Sequence, residues 1–124
     1  VQEVSFNCFL GLPIWLDKGL ASYAEGPMEP YMVQELARAI QFDGLISVRS
    51  LSSDFPASRV GSTRSYAQST SLVAYLIGGY GWDKMRELLA EFRQGSTPDG
   101  ALRKVYGFDM QGLDELWRRH VGAD

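Results

Sequence analysis

The stretch from residue 12 to residue 25 reads Leu-Pro-Ile-Trp-Leu-Asp-Lys-Gly-Leu-Ala-Ser-Tyr-Ala-Glu, and its apolar residues recur at helical spacing. Pro13 suits the first turn of a helix, because its missing N–H has no intrahelical partner there. The apolar positions that follow are Trp15, Leu16, Leu20, Ala21, Tyr23 and Ala24. Gly26 and Pro27 come next and predict the end of this helix.

Downstream, a second helix is predicted to begin near Met28 to Pro30 and to end at Asp43-Gly44. One face of it carries apolar side chains, namely Met32, Val33, Leu36, Ala37 and Ile40. From residue 44 to residue 64 the periodicity disappears, and the Ser-rich sequence there predicts an ordered loop or short irregular turns. Loops of this length in compact domains are more often functional, or tied to a neighbour, than idle.

Four more helices are predicted from residue 66 to the end of the chain. Apolar stripes over residues 66–77 and 82–92 indicate two helices separated by Gly81. Thr97 and Pro98 form a good helix start, Gly107 a stop, and Asp109 a cap for the last helix. We therefore expect an all-α fold of about six helices, with residues 1–124 forming a single helical domain.

Composition excludes several classes of function. At 124 residues and 45% hydrophobic, the chain is long enough for one domain with its own core. The net charge is -3 and no basic stripe is present, which argues against a nucleic-acid partner. No apolar stretch approaches the roughly 20 residues of a membrane-spanning helix. The lone cysteine, Cys8, excludes an internal disulfide and is interpreted as a small buried thiol.

Residues 12–25 resemble the second zinc-site helix of the peptidase MA-like gluzincins, whose pattern runs roughly L-P-x-W-L-x-E-G-L-A-x-Y-x-E. The resemblance continues at residues 66–69, 72–73, 80–81, 101–102, 107 and 113–118, so it covers nearly the whole chain. It implies the C-terminal helical subdomain of a zinc peptidase. In that family an H-E-x-x-H helix lies just upstream, and the glutamate before Gly-Leu-Ala is the third zinc ligand. The resemblance also suggests an extracytoplasmic location.

The sequence departs from this family pattern in two places. Residues 1–11 contain no histidine, so the H-E-x-x-H segment either precedes Val1 in a longer protein or is missing. We expect the chain to be a fragment of a larger peptidase-like domain. The third-ligand position is Lys18, which supplies an ammonium donor where zinc needs an acceptor. Asp17 is no substitute, because one residue along a helix rotates the side chain by about 100°.

Lys18 has two interpretations. Its stem could cover Trp15 or Ser22 while the ammonium stays in solvent. Alternatively, it belongs to a degenerate metal site in which its charge replaces that of zinc by pairing with an upstream acid. Trp15, Lys18 and Ser22 are therefore the residues predicted to mark a cleft at the degenerate third-ligand position.

The remaining candidates lie on later helices. A tyrosine from a later gluzincin helix can help to stabilise the oxyanion, and Tyr66 is the weak catalytic candidate by order along the chain. A core aromatic residue with a hydrogen-bonded hydroxyl is the alternative. Gln68 and Ser69 could line the cleft or lie on the helix surface. His120, the single histidine, is predicted to be a surface residue in the last turn of the last helix.

Two hypotheses for function follow from these observations. The first is the helical half of a zinc metallopeptidase or an inactive homologue, with no catalysis and no cofactor in this chain unless a preceding segment supplies H-E-x-x-H. The second is a helical peptide- or protein-binding module on a degenerate gluzincin scaffold. In the first case the upstream segment is a partner, and its removal exposes an apolar face that would favour self-association. That face is predicted to comprise Phe6, Phe9, Leu12, Trp15 or Tyr66.

Overall fold

The computed structural model describes residues 12–53 and 59–122, without the side chains of residues 59 and 60. Within these ranges all regular structure is helical, which confirms the all-α prediction. The seven helices are α1 Ile14–Ala24, α2 Pro30–Gln41, α3 Val48–Leu51, α4 Arg59–Tyr80, α5 Trp82–Arg93, α6 Pro98–Tyr106 and α7 Met110–Val121. None of the helices described is long and apolar enough to cross a membrane.

Several helix ends lie where local sequence predicts them. Gly81 separates α4 from α5 with a φ of 91°, a conformation that glycine adopts without strain. The Thr97 hydroxyl accepts a hydrogen bond from the Gly100 N–H at 3.0 Å and caps α6. Asp109 caps α7 in the same way through Gly112, at 2.9 Å.

Residues 44–64 differ from the prediction. The short helix α3 lies within them, and its first turn is capped by Ser47, whose hydroxyl accepts from the Ser50 N–H at 3.1 Å. Helix α4 begins at Arg59, before the apolar stripe starts at Tyr66. Its first turns include several polar residues, so no apolar periodicity marks them. The Asp54-Phe55-Pro56 segment of the predicted loop lies outside the described residues.

Helix α4 is the central element, and α1, α2 and α5 all pack against it. Helix α1 crosses α4 very closely at Gly19. A Cβ atom placed on Gly19 would lie 2.6 Å from the Ser69 carbonyl oxygen and 2.6 Å from Cγ2 of Val73. Glycine is therefore required here by the close approach of two backbones. The buried core around this crossing includes Trp15, Leu16, Leu72, Val73, Leu76 and Trp117.

Two polar contacts attach the segment around residues 35–46 to α4. The Glu35 carboxylate lies 2.7 Å from Nε of Arg64, whose Nη1 donates to the Gly44 carbonyl at 3.1 Å. The Gln68 side chain pairs with the backbone of Ile46: Oε1 accepts from the Ile46 N–H at 3.0 Å, and Nε2 donates to the Ile46 carbonyl. Gln68 and Ser69 are both fully buried, so neither lines a cleft or lies on the helix surface.

Candidate functional site

A cleft of about 420 Å³ lies beside the α1–α4 crossing, bordered at one end by the start of α2. Nine residues from these three helices line it: Lys18, Ala21, Ser22, Glu25, Tyr31, Met32, Ser62, Thr63 and Tyr66. Its wall is mixed, with an ammonium, a carboxylate and hydroxyl groups alongside the apolar surface of Ala21, Met32 and the Tyr31 ring. Sites for small organic ligands have volumes of roughly 300–1,000 Å³, so the cleft lies within the size range of such sites.

Helical periodicity explains why these side chains meet in one place. Lys18, Ser22 and Glu25 are four and then three residues apart, so they lie above one another on one face of α1. Thr63 and Tyr66 are three residues apart and share a face of α4. The glycine contact next to Lys18 removes the side chain that would otherwise separate α1 from α4, and so brings the two faces together.

The structure brings together three of the four residues that the sequence singled out. Lys18, Ser22 and Tyr66 line the same cleft, and all three side chains are half-buried. Trp15 is not among the lining residues, because its side chain is packed in the core and only 1% exposed. Asp17 is also buried outside the cleft, as the rotation of about 100° per helical residue requires.

The apolar face predicted to contact an upstream helix is buried at two of its positions. Leu12 and Trp15 are buried within this single chain, at 4% and 1% exposure. Tyr66 is half-buried at the cleft. Phe6 and Phe9 lie outside the described residues. Leu12 and Trp15 therefore contribute no exposed apolar surface for self-association. The oligomeric state stays a prediction.

Lys18 is the main electrostatic feature of the cleft. It makes no ion pair or hydrogen bond with any residue that the structure describes. The nearest acid along its own helix face is Glu25, two turns away and exposed. The proposed pairing of Lys18 with an upstream acid involves no described residue and stays a prediction.

The lining residues do not fit a zinc ion. Zinc in proteins is held by three or four Cys, His, Asp or Glu side chains. Among residues 12–53 and 59–122, no group of three such side chains could hold a metal. The cleft itself offers one carboxylate, Glu25, together with the cation of Lys18, which repels a second cation. His120 lies exposed on α7, as predicted, with its ring 4.7 Å from that of Tyr75 and away from the cleft.

Six lining residues were not anticipated as cleft residues from the sequence: Ala21, Glu25, Tyr31, Met32, Ser62 and Thr63. Glu25 could have been found, because it is seven residues after Lys18 and therefore on the same helical face. The sequence predicts that Ser62 and Thr63 lie in a loop. In the structure α4 begins upstream of both residues, so Thr63 lies one helical turn before Tyr66.

Comparison with known sequences identifies the family of this chain. The sequence model of the peptidase MA superfamily matches residues 1–123, and the chain belongs to that superfamily. No curated protein and no solved structure gives a significant match. The resemblance is therefore confirmed at the level of the peptidase MA superfamily.

Proposed function

We propose that this chain is a peptidase MA domain with no zinc-dependent hydrolysis of its own, and that its cleft binds peptides. The observation that carries the proposal is the position of Lys18. By the family resemblance it falls at the third-ligand position, and in the structure it lines the same cleft as Tyr66, the candidate for the oxyanion-stabilising role. The scaffold thus retains the cleft while presenting an ammonium where the metal ligand belongs.

Hydrolysis of a peptide bond at neutral pH needs an activated water, which a zinc ion or a positioned base provides. The described cleft contains no histidine, and its one carboxylate, Glu25, is exposed to solvent. In the role proposed for it, Tyr66 would donate a hydrogen bond to an oxyanion, but it would not generate the nucleophile.

Peptide binding, unlike hydrolysis, requires only hydrogen-bonding groups and apolar surface from the cleft residues. A peptide backbone presents alternating donors and acceptors, and the Ser22 and Thr63 hydroxyls can serve as either. The Tyr31 ring is 61% exposed at the cleft edge, where an aromatic face can cover an apolar side chain of a ligand. The close α1–α4 crossing keeps the two walls at a fixed separation, so the cleft is largely formed before a ligand arrives.

A peptide-binding assay on two matched alanine variants tests this proposal. Ala21 and Ala24 are both exposed on α1, but only Ala21 lines the cleft. Screening labelled short peptides by fluorescence anisotropy should identify binders to the wild-type chain. Ala21→Trp should weaken their binding at least about tenfold by filling the cleft, whereas Ala24→Trp should leave it unchanged. Equal effects of the two variants, or no binder at all, would contradict the proposal.

Metal analysis tests the catalytic half of the proposal. Protein purified without chelators should contain far less than one zinc per chain, and it should not release fluorescence from quenched peptide substrates with or without added zinc. Tight equimolar zinc would instead support the other hypothesis, the helical half of a zinc peptidase. The sequence preceding Val1 discriminates between the two hypotheses directly, since H-E-x-x-H there would supply the missing ligands.

A further inference from the structure

The charge in the cleft leads to a more specific conclusion about the ligand. We infer that the cleft selects peptides by a carboxylate group, which Lys18 binds with help from the Ser22 and Thr63 hydroxyls. This inference rests on the proposed peptide binding and adds the chemical class of ligand to it. The carboxylate could be the C-terminus of a peptide or the side chain of an acidic residue.

Lys18 differs from most of the cations that the structure describes. Eight other Lys and Arg side chains lie within 4.0 Å of a carboxylate: Arg38, Arg49, Arg64, Lys84, Arg86, Arg103, Lys104 and Arg118. Lys18 has no such partner in the described ranges, although its side chain is half-buried in a cleft. Partial burial of an unpaired charge is unfavourable, and a bound carboxylate would relieve that cost.

The hydroxyl groups around Lys18 are also available to a ligand. Ser65 and Thr70, on the same helix as Thr63, donate back to the carbonyl four residues earlier, at 2.9 and 2.8 Å. The side chains of Ser22 and Thr63 make no hydrogen bond with a described residue. A carboxylate has two oxygens that each accept more than one hydrogen bond, so it offers enough acceptors for the ammonium and both hydroxyls of this cleft.

Glu25 provides a second charged position in the cleft, so a bound peptide would have a preferred orientation. It lies seven residues after Lys18, which corresponds to about 10.5 Å along the axis of α1. An extended peptide covers that distance in about three residues. A ligand with its carboxylate at Lys18 would therefore favour a cationic group about three residues away, near Glu25, and a second acid there would be repelled.

The experiment compares short peptides that differ only in charge. One pair carries a free or an amidated C-terminus, and a second amidated pair carries Glu or Gln at one internal position. Binding to the full chain is measured by anisotropy competition. We expect the charged member of at least one pair to bind about tenfold more tightly, with a preference that shrinks as salt increases. The pair that shows the preference identifies the source of the carboxylate.

Variants then assign the preference to Lys18. Lys18→Met keeps an unbranched stem without the charge and should abolish the preference while leaving the neutral peptides within about twofold of their wild-type affinity. Lys18→Glu should favour a basic over a neutral peptide. Arg93→Met is the matched control, because Arg93 is an exposed cation that makes no ion pair with a described residue and lies outside the cleft. It should keep the acidic preference.

The failures of the two proposals are distinguishable. If charged and neutral peptides bind the wild-type chain equally well, the inference about the carboxylate is wrong, while peptide binding itself stands. If the preference exists but survives Lys18→Met, the assignment to Lys18 is wrong. If no peptide binds at all, the proposed function fails and the inference fails with it.

Discussion

Replacing Gly19 by alanine tests the close crossing of α1 and α4 on which the cleft depends. The new Cβ would lie 2.6 Å from the Ser69 carbonyl oxygen and from Cγ2 of Val73, whereas ordinary van der Waals contact begins near 3.4 Å. The Val73 methyl group can rotate away, but the carbonyl belongs to the α4 backbone and cannot. The two helices must therefore separate by up to about 0.8 Å at this point to restore an ordinary contact.

Two opposing terms set the size of the effect. Overpacking of this kind costs about 1–3 kcal/mol, and the rigid carbonyl favours the upper part of that range. Alanine in a helix interior gains about 1 kcal/mol over glycine. We expect Gly19→Ala to lower the free energy of unfolding by about 2 kcal/mol, which lowers the Tm of a domain of this size by about 8 °C.

Gly78 provides the matched control for this measurement. It also lies inside a helix, but a Cβ placed there meets nothing within 4 Å. Gly78→Ala should therefore show the helix-propensity gain alone and raise the free energy of unfolding by up to about 1 kcal/mol. Urea unfolding followed by circular dichroism measures both variants. If Gly19→Ala is as stable as Gly78→Ala, the helices do not cross as closely as described, and the explanation of the cleft is wrong.

Three further predictions concern the metal position, a buried ion pair and a buried phenol. If a longer form of the protein carries H-E-x-x-H upstream, Lys18→Glu in that form should raise zinc affinity in chelator competition, because it restores a ligand. Glu35→Gln should cost about 2 kcal/mol in urea unfolding, since it removes the charge paired with Arg64 at a carboxylate only 8% exposed. Burial raises the pKa of Tyr106 above its usual value of 10.0, and its hydroxyl has no hydrogen-bond partner among the residues that the structure describes. The phenol of the unfolded chain therefore ionises at lower pH than the folded one, so the free energy of unfolding falls as pH rises above about 10. Tyr106→Phe should reduce that loss of stability between pH 8 and 10.5. It should not destabilise the protein at pH 8.

The parts of the fold that were predictable from sequence are those determined by local chemistry. Gly81, Thr97 and Asp109 mark helix ends through backbone conformation and capping hydrogen bonds that involve only neighbouring residues. The start of α4 was not predictable in this way. Its first turns are attached by the Arg64–Glu35 ion pair, a contact between residues 29 positions apart, and apolar periodicity carries no signal for such a contact.

The cleft was predictable only in part, for a related reason. Lys18 was identified because the family pattern assigns a metal ligand to its position, and Ser22 because it follows one helical turn later. Thr63 was missed because its helix was thought to begin at Tyr66. Gln68 was recognised as polar, but its pairing with the Ile46 backbone is a tertiary contact, so its full burial could not be foreseen.

The contacts that shape the cleft are separate from the groups that would act in it. The α1–α4 crossing at Gly19 and the Arg64–Glu35 ion pair hold α1 and α2 against α4, the three helices that border the cleft. These contacts do not involve Lys18, so we expect the fold to tolerate substitution of this side chain. It follows that Lys18→Met should change ligand affinity while the free energy of unfolding stays within about 0.5 kcal/mol of wild type. A larger loss of stability would mean that Lys18 supports the fold itself, and its role in ligand binding would have to be reconsidered.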